Sequence, residues 1–323
     1  MADPEDSTTL PHGAKIRGYI VEQQIGEGGY GTIYSTHKMD TGERSALKVE
    51  LRNAPKKGLR LEAQILDDLQ DCAYFPKIFF SGKNKQYRYL FMELLGPSLS
   101  MVRRAMPDEV LGTYTILKSA IEMLKAIEAF HTRGYVHRDI KPGNFVVKPD
   151  RKYPICLIDF GLSKRYLNTF GEIIPPLQDA GFTGTCRYAS LNAHHRHDLG
   201  RNDDLISWFY SLVELGVGKL PWPGSRDREE TERLKSTMKP EEICEGLPPV
   251  FIGIYNLITK YTYNDKPDYQ SIRKMLQRAI KDMNFPDKRY DWEKLSEAEI
   301  HEISEISLNM GSPSEETRCC EIM

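Results

Sequence analysis

Four side chains near the middle of the chain have the types that phosphoryl transfer requires. The run His137-Arg138-Asp139-Ile140-Lys141-Pro142-Gly143-Asn144 is followed, 15 residues after Asn144, by Asp159-Phe160-Gly161. Asp139 offers a carboxylate that can orient and deprotonate a hydroxyl. Lys141 offers a cation for the migrating phosphoryl group. Asn144 and Asp159 offer two oxygen ligands for Mg2+. A lone His-Arg-Asp occurs by chance, whereas the whole set in this order points to a catalytic centre.

Such a centre needs a phosphate-bearing substrate held in front of it. Gly26-Glu27-Gly28-Gly29-Tyr30-Gly31 fits G-x-G-x-x-G, a pattern shared with dinucleotide-binding folds. Those folds need a helix directly after the glycines. Here Thr32-Ile33-Tyr34-Ser35-Thr36 follows, β-branched and aromatic, and predicts a strand. A strand–turn–strand hairpin can lay backbone N–H groups over the phosphates of ATP; an ordinary glycine-rich hairpin is the bland reading. Lys48, in Ala46-Leu47-Lys48-Val49, is close to the strand lysine that holds α- and β-phosphates. Glu62, on a predicted helix, is its candidate ion-pair partner, against a solvated helix face as the alternative. The expected ATP-contacting set is Ile25, Gly26, Glu27, Gly28, Gly29, Tyr30, Gly31, Thr32, Ile33, Lys48, Glu62, Glu93 and Leu95. In the protein-kinase arrangement that these residues resemble, backbone groups near Leu95 would read the adenine edge and Met92 would guard the back of the pocket; a core methionine is the plain alternative.

The elements that must position these groups fall into two lobes. Short β-type runs occupy Tyr19–Ile25, Thr32–His37 and Ser45–Glu50, then a helix at Leu59–Leu69 and strands at Lys77–Ser81 and Arg88–Glu93. Gly96-Pro97 makes a hinge. Beyond it Ile116, Ala120, Met123, Ile127 and Phe130 recur at helical spacing, with Leu117, Ile121 and Leu124 as a second stripe. A helix apolar on two faces is a buried one, and Leu205, Trp208, Phe209, Leu212 and Leu215 repeat the signal. The expected fold class is α+β and bilobal. Residues 1–16 form a flexible leader, 17–293 the domain (N-lobe about 17–95, C-lobe about 96–293), and 294–323 an acidic tail.

Composition narrows the classes further. The 323 residues are 40% apolar with a formal charge of −2, which argues against a nucleic-acid binder driven by bulk charge. Cys72, Cys156, Cys186, Cys244, Cys319 and Cys320 are scattered without a Cys-x-x-Cys pair, as free thiols in a reducing compartment would be. No apolar run approaches the roughly 20 residues that span a bilayer. Met1-Ala2-Asp3-Pro4 lacks the regions of a signal peptide, and Ala2 excludes N-myristoylation. The expected address is cytoplasmic, with the nucleus as an alternative. Close histidines at His194, His195 and His197 carry no Cys or carboxylate at ligand spacing and read as solvated rather than metal-binding.

With these residues assembled, the chain resembles the casein kinase I superfamily of protein kinases, and within it most closely the tau-tubulin kinase group. Met92-Glu93-Leu94-Leu95-Gly96-Pro97-Ser98-Leu99, Gly184-Thr185-Cys186-Arg187-Tyr188-Ala189-Ser190-Leu191-Asn192 and Lys266-Pro267-Asp268-Tyr269 carry the superfamily likeness. Asn192-Ala193-His194, Gly200-Arg201-Asn202-Asp203-Asp204-Leu205 and Asp291-Trp292-Glu293 resemble the tau-tubulin branch, while Glu93-Leu94-Leu95 is closer to casein kinase I proper. The resemblance implies a monomeric Ser/Thr kinase using ATP and Mg2+, Lys141 marking Ser/Thr acceptors. It implies protein substrates that are acidic or phosphate-primed, with Arg187 as an anion ligand and Arg226 and Arg233 near it. Arg228 and Lys235 share that basic region, interleaved with glutamates. The resemblance further implies competence without activation-loop phosphorylation, with Thr183 and Thr185 as phosphorylatable alternatives, and Asp204 as an anchor of the catalytic loop. A pseudokinase scaffold is the rival reading.

The tail holds two signals. Ser296-x-x-Glu299 is a capping box that predicts a short helix, with Ile300, Ile303 and Ser307 on one face. Cys320-Glu321-Ile322-Met323 fits C-a-a-X, a prenylation signal at Cys320, and Cys319 could take a palmitoyl group. Membrane association would follow from those lipids; a chance cysteine pair is the alternative.

Overall fold

Six segments rich in β-branched and aromatic residues precede Glu93, and they pair into one sheet. The computed structural model describes residues 9–28, 31–54, 57–148, 150, 152–223, 227–296, 298–300 and 303. Strands β1 (Lys15–Ile16), β2 (Tyr19–Gly28), β3 (Gly31–Lys38), β4 (Arg44–Leu51), β5 (Ile78–Lys83) and β6 (Tyr87–Met92) lie in the order β1-β2-β3-β4-β6-β5. All neighbours are antiparallel. One face buries Tyr19, Val21, Tyr34, Leu47, Val49, Tyr89 and Phe91 as a small core. The flexible leader expected to residue 16 is corrected from Thr9 onward. Leu10 donates its N–H to Tyr34 Oη at 2.8 Å, Gly13 and Val21 exchange strand-like bonds with their neighbours, and Leu10, Ala14 and Ile16 cover the same core. Backbone groups paired this way make a docked strand rather than a loose end.

Helix α1 (Leu59–Asp68) lies behind the sheet and buries Leu59, Ile65 and Leu66. Its first turn has no side-chain cap of its own. A buried strand residue serves instead: Glu50 Oε1 accepts from Gly58 N at 2.7 Å and Leu59 N at 3.1 Å, and Oε2 pairs with Arg88 at 3.3 Å. A carboxylate there satisfies orphan donors and favours the positive end of the helix dipole. Sequence reading did not single out Glu50, because its partners lie in different elements.

The larger lobe is helical. It comprises α2 (Leu99–Ala105), α3 (Thr113–Thr132), α4 (Leu191–His194), α5 (Arg201–Val217), α6 (Arg228–Thr237), α7 (Pro240–Ile243), α8 (Val250–Ile258) and α9 (Tyr269–Asp282). Four short strands, β7 (Tyr135–Val136), β8 (Phe145–Val147), β9 (Ile155–Leu157) and β10 (Lys164–Arg165), pair as β7–β10 and β8–β9. Both stripes of α3 are buried, as are Leu205, Trp208, Phe209, Leu212 and Leu215 of α5. The hinge is strapped to β8: Gly96 N donates to Val147 O at 3.0 Å and Val147 N to Pro97 O at 2.9 Å. In the tail, Ser296 N donates to Glu299 Oε2 and Glu299 N to Ser296 Oγ, and Ile303 is buried. Ser307, Cys319 and Cys320 lie outside the described residues.

Beneath residues 184–192 sits a polar knot. Lys235 Nζ, buried, donates to Cys186 O and Ala189 O, both at 2.7 Å, and lies 3.3 Å from His194 Nε2. Burial, then the charges of Lys235 and Arg228, press the His194 imidazole down to about 3 from 6.5. It is neutral in the fold but takes up a proton on unfolding below pH 6.5. Its contribution to stability is therefore complete above pH 6.5 and lost as pH falls from there toward 3.

Two outcomes follow from this packing. Glu50→Ala should lower stability by about 1–3 kcal/mol in urea denaturation, the cost of buried amides and a guanidinium left unpaired. The urea midpoint of the native chain should fall between pH 7 and pH 4.5, and by less in His194→Gln. Equal falls in the two proteins would exclude His194 as a source of the acid sensitivity.

Candidate functional site

The cleft between the lobes is built around a buried cation. Lys48, on β4, pairs with Glu62 Oε2 at 2.7 Å and with Asp159 Oδ1 at 2.9 Å. Lys48 and Glu62 are almost fully buried, whereas the Asp159 side chain is one-third exposed to the cleft. Desolvation would lower the lysine, but the two carboxylates outweigh it and hold the ammonium firmly charged. Burial and the second carboxylate push Glu62 up against the pull of Lys48. Burial also raises Asp159, but Lys48, helped by Lys141, brings it down to about 2. Asp159 is thus an anion at any physiological pH.

Asp159 is aimed by its neighbour. Phe160 is fully buried and packs against Phe75, Phe130 and His137, with ring centroids 5.9, 5.1 and 5.6 Å apart. With Phe160 turned into the core, Asp159 stands at φ 65°. A non-glycine residue in that region costs on the order of 1–3 kcal/mol and persists where surroundings over-determine it.

The catalytic-loop candidate is held from below. Asp204, on α5, accepts from His137 N at 2.7 Å and Arg138 N at 2.8 Å. Arg138 has φ 68°, so this turn too is held against local strain. His137 Nδ1 accepts from Asp139 N at 3.3 Å, and its Nε2 faces Ile158 O at 3.1 Å. Asn144 Nδ2 donates to Asp139 O at 2.8 Å. Asp139 Oδ1 accepts from Thr185 Oγ1 at 2.7 Å, and Lys141 Nζ lies 3.1 Å from Asp139 Oδ2 and 3.2 Å from Thr185 Oγ1. Thr185 is 7% exposed as a residue, and its hydroxyl is engaged inside the site. That corrects its reading as a phosphorylatable side chain. Gly184 is required beside it: at φ 97° an added Cβ would meet Arg138 O at 2.5 Å.

The nucleotide-facing residues come to one side of this cluster. Gly28 pairs with Gly31, Glu27 with Thr32 and Gly26 with Ile33 across the β2–β3 hairpin, and Ile25 lies at an irregularity in the β2 register. Gly31, at φ 132°, runs so close to β4 that a Cβ would sit 2.0 Å from Val49 O. Gly29 and Tyr30 lie outside the described residues. Met92 pairs with Ala46, two residues from Lys48. Glu93 is tied to Lys148 at 3.3 Å and caps Lys77 N at 3.2 Å. No backbone group of Leu95 is hydrogen-bonded among the described residues. A hinge with a free donor and acceptor suits the edge of a purine.

The site fits Mg2+ by its donor set. Asp159 is ionised, and Asn144 bonds Asp139 through its nitrogen, which leaves the amide oxygen as a ligand. Among the described residues no group of three or more His, Cys, Asp or Glu forms a cage. Mg2+ is commonly bound by one or two protein oxygens together with phosphates and water. His195 pairs with Glu232 at 3.1 Å and stands 5.7 Å from His197, ring to ring.

The expected anion site is not drawn together in the same way. Arg187 Nε pairs with Glu214 Oε1 at 2.9 Å, and its side chain is one-quarter exposed. Arg233 forms a two-point pair with Glu230 at 2.6 and 2.7 Å. Arg228 donates to His194 O and lies 4.1 Å over the Phe182 ring. Lys235 is spent on carbonyls in the polar knot. Arg226 lies outside the described residues. Interleaved Arg and Glu letters do not show which pairs close; Arg233 and Glu230 do so at i,i+3.

Comparison with known proteins agrees with this geometry. Residues 19–298 match the family described as the protein kinase domain. A probable serine/threonine-protein kinase of Dictyostelium discoideum is 36% identical over 285 residues, 87% of this chain. The chain spans 58% of that relative's length. With 280 of its 323 residues inside the family match, and a Lys–Glu–Asp cluster facing an Asp–Lys–Asn loop, the chain belongs to the protein kinase family.

Proposed function

We propose that the chain transfers the γ-phosphoryl group of Mg·ATP to Ser and Thr hydroxyls of proteins. The observation that carries this reading is Lys48 bonded to both Glu62 and Asp159 beside the Asp139–Lys141–Thr185 cluster. Asp139 Oδ1 already accepts a hydrogen bond from the Thr185 hydroxyl, so an acceptor hydroxyl has a defined carboxylate to meet. As that oxygen attacks phosphorus, its proton passes to Asp139, the bond to the bridging oxygen breaks and ADP leaves. Lys141 offsets charge on the transferring group, Asn144 fixes the Asp139 backbone, and Lys48 holds the other phosphates. Mg2+, when bound by Asn144 and Asp159, screens the phosphate charge. The scaffold alternative has no observation in its favour, since Lys48, Asp139 and Asp159 are all present.

The finer reading, a casein kinase I type enzyme of the tau-tubulin branch, rests on the segment 184–192 and its support. Activity without activation-loop phosphorylation is supported by a buried carboxylate: Asp198 pairs with Lys164 and accepts from Leu177 N at 3.0 Å. Phosphorylation orders such segments elsewhere by creating similar charge-assisted bonds. A preference for acidic or primed substrates rests on Arg187, which pairs with Glu214 but keeps one-quarter of its side chain exposed; Arg233, on the surface, is paired with Glu230. The cytoplasmic or nuclear address rests on composition. Among the described residues no helix is long and apolar enough to cross a membrane.

Asp139→Asn should reduce phosphorylation of casein on the order of 10²–10⁴-fold while Mg·ATP binding, followed by calorimetry, stays within about twofold. Lys48→Met should lower transfer as well, and it leaves two carboxylates without their cation. Equal casein phosphorylation by Asp139→Asn and the native chain would refute the assignment.

A further inference from the structure

The segment Lys266-Pro267-Asp268-Tyr269 has no part in the transfer chemistry, yet its last residue leads back to the catalytic loop. Asp268 caps α9 by accepting from Ser271 N at 2.9 Å, and its own N–H donates to Tyr261 Oη at 3.0 Å. That fixes Tyr269 at the first helical position, where its ring is 5% exposed. Tyr269 Oη lies 2.6 Å from His131 Nδ1, near the C-terminal end of α3. The other ring nitrogen of His131, Nε2, lies 2.8 Å from Asp204 Oδ2. The same Oδ2 accepts from His137 N, and Oδ1 from Arg138 N, one residue before Asp139. The backbone of His131 is held as well, by Tyr166 Oη donating to its carbonyl at 2.7 Å.

Directionality along this chain follows from the chemistry of the groups. The Asp204 carboxylate is ionised: burial raises it, but the hydrogen bonds it accepts from His131 and the loop amides bring it down. An ionised carboxylate only accepts, so His131 Nε2 must carry the proton that faces it. In the neutral imidazole the other nitrogen is then an acceptor, and Tyr269 O–H is the donor that meets it. Without that donor the imidazole has a buried lone pair to satisfy. The Nδ1–H tautomer would instead set the Nε2 lone pair against the carboxylate and repel Asp204 from its place beside the loop amides. A shift of about 1 Å in a catalytic group can cost up to 10²-fold in rate.

We propose that Tyr269 is a positioning residue for the catalytic loop, acting from α9 by fixing the His131 tautomer through which Asp204 holds His137 and Arg138. The inference rests on the phosphoryl-transfer reading for its kinetic effect but not for its structural one. Tyr269→Phe keeps the ring and removes only the donor. It should lower kcat about 3–10-fold with the KM for ATP and Mg·ATP binding within about twofold. His131→Gln supplies an amide donor to Asp204 whose orientation does not need Tyr269. In that background, Tyr269→Phe should change kcat by less than about 1.5-fold. A packing role alone would give the same loss in both backgrounds, and that result overturns the proposal, as does an unchanged kcat in the single variant. The tautomer is read separately by nitrogen NMR of the full chain with labelled histidine. His131 protonated on Nε2 alone supports the proposal; protonation on Nδ1, or on both nitrogens, overturns it. If the native chain bound Mg·ATP but transferred no phosphate to any protein, the transfer reading would fall, and the imidazole signal would still decide this one.

Discussion

A lysine buried between two carboxylates is the constraint on which the cleft depends. Lys48 cannot leave water without compensation, because an isolated ammonium in a protein interior costs several kcal/mol. Glu62 and Asp159 supply that compensation from a helix and a loop far apart in sequence. Three elements must therefore meet at one point, and each has its own device for doing so. Glu50 caps α1 and sets the helix that carries Glu62. Phe160, locked among Phe75, Phe130 and His137, sets Asp159. The pairing of β4 with β3 and β6 sets Lys48. Removing Lys48 leaves two carboxylates without their cation, and removing either carboxylate leaves the buried ammonium with a single partner.

The helical lobe does comparable work for Asp139. The Arg138 and Asp159 backbone angles show where strain is held: Arg138, next to Asp139, and Asp159 itself stand at positive φ. Helix α5 is rigid because its apolar residues are buried on most sides, and a rigid element places a carboxylate more accurately than a loop would. Lys235 plays the matching part under residues 184–192, where it donates to the carbonyls of Cys186 and Ala189. The same lysine shows why a basic stretch read as a ligand site can turn out to be internal scaffolding.

The strands and main helices were legible because their apolar periodicity survives without tertiary context; Tyr19–Ile25 and Leu59–Leu69 differ from the observed elements by only a few residues. The letters of the candidate site were legible because phosphoryl transfer, the chemistry they fit, restricts residue type and order. Glu50, Asp198 and the Lys235 knot were not, since each is a common polar residue whose partners are distant in sequence. Residues 9–16 read as loose because a two-residue strand carries almost no periodic signal.

By itself, the sequence pointed to the protein kinase family: Asp139, Lys141, Asn144 and Asp159 in order, the glycine turn and a lysine on the expected strand. Local covalent and steric rules tie those choices to short stretches of chain, so they can be read in one dimension. The tertiary structure decided which charges meet. Arg187 faces Glu214, Arg233 faces Glu230, Thr185 closes on Asp139, and Tyr269 reaches the catalytic loop through His131. Coulomb and hydrogen-bond energies depend on distance and burial, and neither exists until the chain has folded.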